Sequence, residues 1–299
     1  MKIVLTGSVG PISKPLAEQL ITAGHEVTVI SSQPAKKEEI ELLGAIAAIG
    51  SIEDINFLSK TFAGADAAYL MEPTVNMFDP SVDLLKNYEK ICNRYIKAVM
   101  DSGLKRVVHL SSIGGHSATG NGMLAFHFYA EQAIKKLPEE ISVKTLRPVS
   151  FYSNILSFIP MIKEYDAIIT SYHAETPEPW VSPLDIAAVA AEELVSLAAG
   201  REVRYIVSDE LNSEKLTRVL GEAIGKEIQW IKIAHDTLEE SYKEKGMSPQ
   251  AANGFARLNQ AKDSGSLYED LINNKDKITY GKVKIEDFIK DFTKVYQNS

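Results

Sequence analysis

The 299-residue chain is 45% hydrophobic and carries a formal net charge of −8 at pH 7. This composition supports a full hydrophobic core, and the acidic balance excludes the basic patch that nucleic acids or anionic membranes require. No apolar run reaches the roughly 18 residues of a membrane span, and we expect no signal peptide because Met1 leads straight into a strand. The single cysteine, Cys92, excludes an internal disulfide and predicts a cytoplasmic location.

The first 30 residues predict a strand, a glycine turn, a helix and a second strand. Residues 2–13 contain an apolar strand that runs into the turn, and residues 26–30 form the next strand. This βαβ unit is typical of dinucleotide binding. Gly7 permits the tight turn, and Gly10 allows the backbone to approach a pyrophosphate near the N-terminus of the helix. Ser13 occupies the third glycine position and is small enough for close helix–strand packing.

Strands and helices continue to alternate through the first half of the chain. Further strands are predicted at residues 45–49, 67–71, 106–111 and 143–146. Helices are predicted from a capping box at Ser51 and Asp54 through Phe62, from Asp79 and Pro80 to near Gly103, and at about residues 123–136. Right-handed crossovers place such helices on both faces of a parallel sheet. We therefore predict an α/β fold built on a Rossmann-like, doubly wound parallel sheet.

The pattern becomes less regular after Pro148. A short helix is predicted at residues 151–160, an irregular stretch at 166–183, a helix at 184–199, and strands at 204–207 and 227–233. We interpret residues 1–150 as an NAD(P)-binding Rossmann domain, onto which helix 184–199 packs back. Residues 151–299 form a smaller, mainly helical substrate-binding domain that closes a cleft over the carboxyl ends of the strands.

The candidate cofactor site combines residues that follow successive strands. They are Gly7, Ser8, Val9, Gly10, Pro11, Ile12, Ser31, Ser32, Gly50, Ser51, Met71, Glu72, Pro73, Ser111, Ser112, Pro148 and Phe151. An acidic residue after the second strand would bind the 2′-OH of NAD, but Ser31 and Ser32 stand there, with Lys36 and Lys37 shortly after. No carboxylate would repel a 2′-phosphate, so we expect NADP, with NAD as the alternative.

Three segments resemble a known family. Residues 6–10 read T-G-S-V-G, residues 146–156 read L-R-P-V-S-F-Y-S-N-I-L, and residues 181–187 read V-S-P-L-D-I-A. Over nearly its whole length the chain is similar to NmrA-like members of the atypical short-chain dehydrogenase/reductase family. The resemblance implies binding of NADP or NAD. It also implies either reduction of quinones, isoflavonoids or other small carbonyl compounds, or sensing of redox state without turnover.

The helix after the fifth strand carries the candidate catalytic residues. Ordinary short-chain dehydrogenases place Tyr-x-x-x-Lys there, and the tyrosine donates a proton. Here Tyr129 is followed four positions later by Ala133 instead of lysine. His127 and Glu131 form a His-x-x-x-Glu arrangement that resembles the quinone oxidoreductase branch of the NmrA-like group. His127 is the candidate contact to substrate or nicotinamide and Tyr129 the candidate proton donor, although packing is the alternative role for each.

Two functions stay open at this point. The first is an NADPH-dependent reductase of a small quinone or carbonyl compound, which needs little acid catalysis because hydride transfer to a quinone gives a stabilised anion. The second is a non-catalytic, NAD(P)-binding redox sensor, which the absent lysine favours. The expected partners are a small-molecule substrate, without nucleic acid or membrane, in a monomer or homodimer. The six histidines show no metal-binding spacing, so no metal site is predicted.

Overall fold

The computed structural model describes residues 1–73, 75–172, 175 and 177–299. Its strands in chain order are β1 (Lys2–Leu5), β2 (Glu26–Ser31), β3 (Ile46–Ile49), β4 (Ala67–Leu70), β5 (Arg106–Leu110), β6 (Ser142–Pro148), β7 (Ser150–Phe151), β8 (Ala167–Thr170), β9 (Glu178–Val181), β10 (Arg201–Val207), β11 (Asp209–Leu211), β12 (Gln229–Lys232) and β13 (Ile278–Tyr280). Its α-helices are α1 (Ser13–Thr22), α2 (Lys37–Leu42), α3 (Ile55–Phe62), α4 (Leu84–Ser102), α5 (Ala125–Ile134), α6 (Ile159–Tyr165), α7 (Pro183–Val195), α8 (Ser213–Ile224), α9 (His235–Glu244), α10 (Pro249–Asp263), α11 (Glu269–Asn273) and α12 (Ile285–Asn298).

Within the described residues, eight strands form a central sheet in the order β3-β2-β1-β4-β5-β6-β10-β13. Every neighbouring pair in it is parallel. Apolar residues of α1 and α7 pack on one face of the sheet, and those of α3, α4 and α5 pack on the other. The predicted α/β fold with a doubly wound parallel sheet is therefore confirmed. None of the helices in the described part of the chain is long and apolar enough to cross a membrane.

The second half of the chain contributes to this same sheet. Strands β10 and β13 extend it beyond β6, and helix α7 packs against α1 in the same core. A further core forms around Tyr152, Trp180, Leu216 and Phe292, between elements that follow β6. The central sheet consequently includes strands from both sides of residue 150. The division into domains 1–150 and 151–299 stays a prediction.

Two helix starts differ from their predictions. Helix α4 begins at Leu84, after Asp83 accepts a hydrogen bond from the backbone N–H of Lys86 at 3.2 Å. Asp79 instead accepts from the N–H of Ser81 at 2.9 Å, so its carboxylate stabilises a local turn before the helix. At α3 the cap is Asp54 alone, which accepts from the N–H of Phe57 at 3.1 Å.

The stretch predicted to be irregular, residues 166–183, contains two strands. Strand β8 pairs with β12, and β9 pairs with β7 and β11. Their partners are mostly distant in sequence, so the local pattern of prolines concealed the pairing. Residues 173, 174 and 176 of this stretch lie outside the described residues.

A buried ion pair fixes α5 to the sheet. Arg147 of β6 donates from Nη2 to Oε2 of Glu131 at 2.7 Å and from Nε to Oε1 at 2.9 Å. Its Nη1 donates to the hydroxyl of Tyr205 on β10 at 2.7 Å and to Oδ2 of Asp270 on α11 at 3.1 Å. Glu131 also accepts from the Ser111 hydroxyl at 2.6 Å. One guanidinium thus joins two strands and two helices.

We expect Arg147→Met to lower the free energy of unfolding by about 3–5 kcal/mol, because it leaves the Glu131 carboxylate buried without its counter-ion. The matched control is Lys97→Met, which removes an exposed pair with Asp101 and is expected to have a much smaller effect. Urea denaturation of both variants measures the difference. Equal losses in the two variants would contradict the structural importance of the buried pair.

Candidate functional site

A cavity of about 600 Å³ lies at the carboxyl ends of the strands on both sides of the point where the strand order reverses, between β1 and β4. Open α/β sheets bind ligands at this switch point. Of the residues predicted for the cofactor site, the structure places these on the cavity wall: Gly7, Ser8, Gly10, Pro11, Ile12, Ser31, Ser32, Ser51, Met71, Pro73 and Phe151. The fold therefore brings together residues from the ends of five separate strands.

The other predicted site residues are not among those that line the cavity. They are Val9, Gly50, Glu72, Ser111, Ser112, Pro148, His127 and Tyr129. Several are held by contacts within the protein: a Cβ on Gly50 would lie 2.6 Å from the ring of Phe57, and the Ser111 hydroxyl is bound to Glu131. Their assigned roles stay predictions.

The glycine turn has a shape that excludes side chains. Gly7 has a φ of 92°, and a Cβ there would lie 2.4 Å from Sδ of Met71 and 2.6 Å from Oγ of Ser13. Ser13 packs closely, as its position in the motif suggested, and donates to the carbonyl of Thr6 at 3.0 Å. Among the described residues, no side chain caps the N-terminus of α1. This open backbone cradle at a helix N-terminus fits a pyrophosphate.

The β2 side of the cavity carries the residues expected at the adenosine. Ser31 is buried, and its hydroxyl oxygen accepts from the Ser8 hydroxyl at 3.0 Å and from the N–H of Gln33 at 3.2 Å. Ser32 is exposed and is the serine available to a ligand. Lys36 forms an ion pair with Glu39 at 2.9 Å, so its charge is already partly compensated.

Several residues that line the cavity were missed by the sequence reasoning. Residues lining the cavity that were not predicted as cofactor contacts are Ser13, Ile30, Gln33, Ile52, Glu53, Val75, Asn87, Ile91, Tyr95, Leu110 and Ser153. Asn87, Ile91 and Tyr95 are spaced four residues apart and share one face of α4. That spacing was a usable signal, but nothing local indicated that this face meets the cavity.

Glu72 belongs to a buried cluster behind the cavity wall. Its Oε1 accepts from Sγ of Cys92 and bonds Nε2 of His109, each at 3.0 Å. Burial raises the pKa of Glu72, but the charge and hydrogen bond of His109 outweigh burial and lower the pKa overall. Potential ligand atoms of all three residues lie within 4.8 Å of one another. The prediction of no metal site used sequence spacing, which could not show this cluster because its residues come from three separate segments. Hydrogen bonds to the Glu72 carboxylate account for the close approach of the three side chains.

His127 occupies the adjacent part of α5. Its ring lies against Phe126 with centroids 4.0 Å apart, and Nδ1 is buried without a hydrogen-bond partner among the described residues. Burial lowers the pKa of His127 to about 4, so the imidazole is neutral at pH 7. Tyr129 packs edge-to-face on Phe128 at 5.5 Å. The structure thus places both candidate catalytic side chains in packing contacts, off the cavity wall.

The half-buried imidazole of His127, whose Nδ1 is buried, makes the stability depend on pH. Its pKa is about 4 in the folded protein and about 6.5 in an unfolded chain, so falling pH favours the unfolded chain between these values. The facing charges are those of Glu72, His109 and Glu131. We expect wild type to lose up to about 1.4 kcal/mol per pH unit through this residue below pH 6.5.

The His127→Gln variant lacks this contribution to the pH dependence of stability, because glutamine does not titrate. Urea denaturation at pH 7 and pH 5 is expected to show a smaller fall in stability for the variant than for wild type. The other titrating groups are common to both proteins, so parallel pH dependences would contradict the burial of this imidazole.

The doubly wound sheet and its glycine cradle define a Rossmann-type dinucleotide-binding fold. The sequence model of the NmrA-like family matches residues 1–289, and the chain belongs to this family. The NAD(P)H azoreductase of Xenophilus azovorans is 20% identical over 257 residues, covering 86% of this chain and 85% of the relative. The resemblance seen in the three sequence segments is confirmed.

Solved structures of similar fold include two reductases. The NADPH-dependent quinone oxidoreductase of Escherichia coli, solved with NADPH, superposes with a TM-score of 0.80 at 18% identity and covers 97% of this chain and 99% of its own. The triphenylmethane reductase of Citrobacter sp., solved with NADP(H), has a TM-score of 0.78 at 17% identity and covers 98% and 100%. At these identities the likeness establishes the fold.

Proposed function

We propose that this protein is an NADPH-dependent reductase that transfers hydride to a small quinone or carbonyl compound. The observation that carries the proposal is a cavity that joins the glycine cradle to an apolar wall at the ends of β4, β5 and β7. A dinucleotide held at the cradle would have its nicotinamide beside space for an acceptor. The similar quinone oxidoreductase, azoreductase and triphenylmethane reductase are all named as reductases or oxidoreductases, which supports the same class of reaction here.

The residues present fit a nicotinamide cofactor. Gly7 keeps the turn tight, because a Cβ there would collide with Met71 and Ser13, and the N-terminus of α1, which no described side chain caps, suits the phosphates. When bound, NADPH supplies a hydride, and quinone reduction gives an anion that takes its proton from water. The chain then has to bind and orient the cofactor and the acceptor and to exclude part of the water. It does not have to supply a proton, which agrees with the missing lysine. A neutral His127 could position a group by hydrogen bonding but would not supply a proton at pH 7.

Gly10→Val tests the cofactor site. Gly10 lines the cavity, and a Cβ there would meet the Gly7 carbonyl oxygen at 3.2 Å, so a small shift accommodates it without unfolding. The branched side chain would then stand where the pyrophosphate approaches. We expect the dissociation constant for NADPH, measured by calorimetry, to rise at least about tenfold. The control variant is Ala23→Val, at the exposed end of α1, which also gains the two γ-methyl groups of valine. We expect it to bind NADPH with wild-type affinity.

Turnover is tested by following NADPH oxidation with a panel of quinones and aldehydes. Oxidation that depends on acceptor, and that Gly10→Val abolishes, supports the reductase. Tight NADPH binding without turnover of any acceptor would favour the redox sensor instead. In the same assay the sequence predicts that His127→Ala lowers kcat/KM more than Tyr129→Phe, at unchanged NADPH affinity; normal activity in both variants would remove their catalytic roles.

The preference for NADP is proposed to rest on Ser32. This serine is exposed on the cavity wall, and no carboxylate stands directly at the end of β2; Glu53, which follows β3 on the same wall, is paired with Arg94. Ser32→Asp should raise the dissociation constant for NADPH about tenfold while changing that for NADH little, because the added charge faces the phosphate. Ser32→Ala removes the hydroxyl without adding charge and is the control. A wild-type protein that binds NADH as tightly as NADPH would contradict the preference.

A further inference from the structure

We infer that Asn87 and Ser153 hydrogen-bond the hydride acceptor, and that this half of the cavity selects uncharged carbonyl compounds over anionic ones. The inference rests on the proposed reductase function and specifies its substrate site. Both residues line the cavity, and neither was predicted as a site residue, although Ser153 lies within the quoted segment 146–156.

The strand order locates the acceptor. The β2 and β3 ends carry the contacts expected for adenosine, and the glycine turn after β1 suits the pyrophosphate. The nicotinamide therefore extends toward β4, β5 and β6, on the other side of the switch point. Asn87 lies on α4, which follows β4, and Ser153 lies just after Phe151 at the end of β7. The acceptor has to lie in this half to receive a hydride.

The wall in this half is largely apolar. It is formed by Met71, Val75, Ile91, Leu110 and Phe151. Such a surface favours the flat, apolar body of a quinone or aromatic carbonyl compound. A few polar groups then fix the orientation of the ligand.

Free hydrogen-bonding groups distinguish Asn87 and Ser153 from the other polar residue in this half. The Tyr95 hydroxyl already donates to the Met71 carbonyl at 2.7 Å. In contrast, the side chains of Asn87 and Ser153 make no hydrogen bond to any described residue, and both are half-buried. The amide N–H₂ of Asn87 and the hydroxyl of Ser153 are thus free donors, which a carbonyl oxygen would satisfy.

The distribution of charge argues against anionic acceptors. Among the described cavity-lining residues, Glu53 is the charged one, and it lies beyond β3 on the adenosine side, paired with Arg94 at 3.3 Å. A sulfonate or carboxylate in the acceptor half would find no counter-ion on the wall. Desolvating an unpaired charge is costly, so an anionic acceptor should bind more weakly than its uncharged parent.

The experiment measures kcat/KM for 1,4-naphthoquinone and its 2-sulfonate at saturating NADPH. Asn87→Asp keeps the side-chain shape but removes the donor, and we expect kcat/KM for the uncharged quinone to fall about tenfold, through KM. Asn87→Lys supplies a cation and should raise the ratio of sulfonated to uncharged activity about tenfold. Comparing ratios between variants cancels the different intrinsic reactivities of the two quinones. Ser153→Ala should lower kcat/KM for the uncharged quinone several-fold.

The matched controls are Asn93→Asp and Asn93→Lys on the exposed face of the same helix, and Ser157→Ala one turn after Ser153. NADPH affinity and melting temperature should stay at wild-type values in every variant. If the wild type reduces the quinones but the Asn87 variants have the same kcat/KM values as the Asn93 variants, the inference is overturned and the proposed reductase function still stands. Wild type that binds NADPH but reduces neither quinone would overturn the proposed function itself.

Discussion

The ion pair between Arg147 and Glu131 is the contact on which the rest of the architecture depends. Both side chains are buried, so the pair is stable only while every charge and donor is satisfied. Glu131 uses both oxygens, and Arg147 adds Tyr205 and Asp270. The arginine thus fixes the distance between helix α5, strands β6 and β10, and the late helix α11. Together with the backbone pairing of β10 with β6, these contacts join residues after 200 to the central sheet.

The same network fixes one side of the candidate site. Glu131 accepts from Ser111, the residue that follows β5, so the end of that strand is held close to α5. A second buried group, the Glu72 carboxylate with His109 and Cys92, ties the ends of β4 and β5 to α4. Met71 and Pro73, on either side of Glu72, line the cavity. Buried polar contacts therefore hold the residues on this side of the cavity in place.

Local sequence patterns predicted the elements of the first half well because those elements follow a regular alternation. The strands β2, β3, β4 and β5 lie within a residue of their predicted bounds. Errors occurred where a competing local contact or a distant partner decided the outcome. Asp79 stabilises a turn instead of a helix start, and β8 exists because β12 pairs with it. Helical spacing placed His127 and Glu131 on one face but could not show what that face contacts.

By itself, the sequence determined the doubly wound sheet, the glycine cradle and the family, because these follow from short-range periodicity and from motifs within single segments. Only the tertiary structure decided which side chains share a site. Glu131 meets Arg147 across 16 residues, and Arg147 meets Asp270 across 123. Such contacts depend on which helix face packs on which strand, and no local pattern records that choice. For this reason the position of Asn87 on the cavity wall and the buried Nδ1 of His127 became visible only in the folded chain.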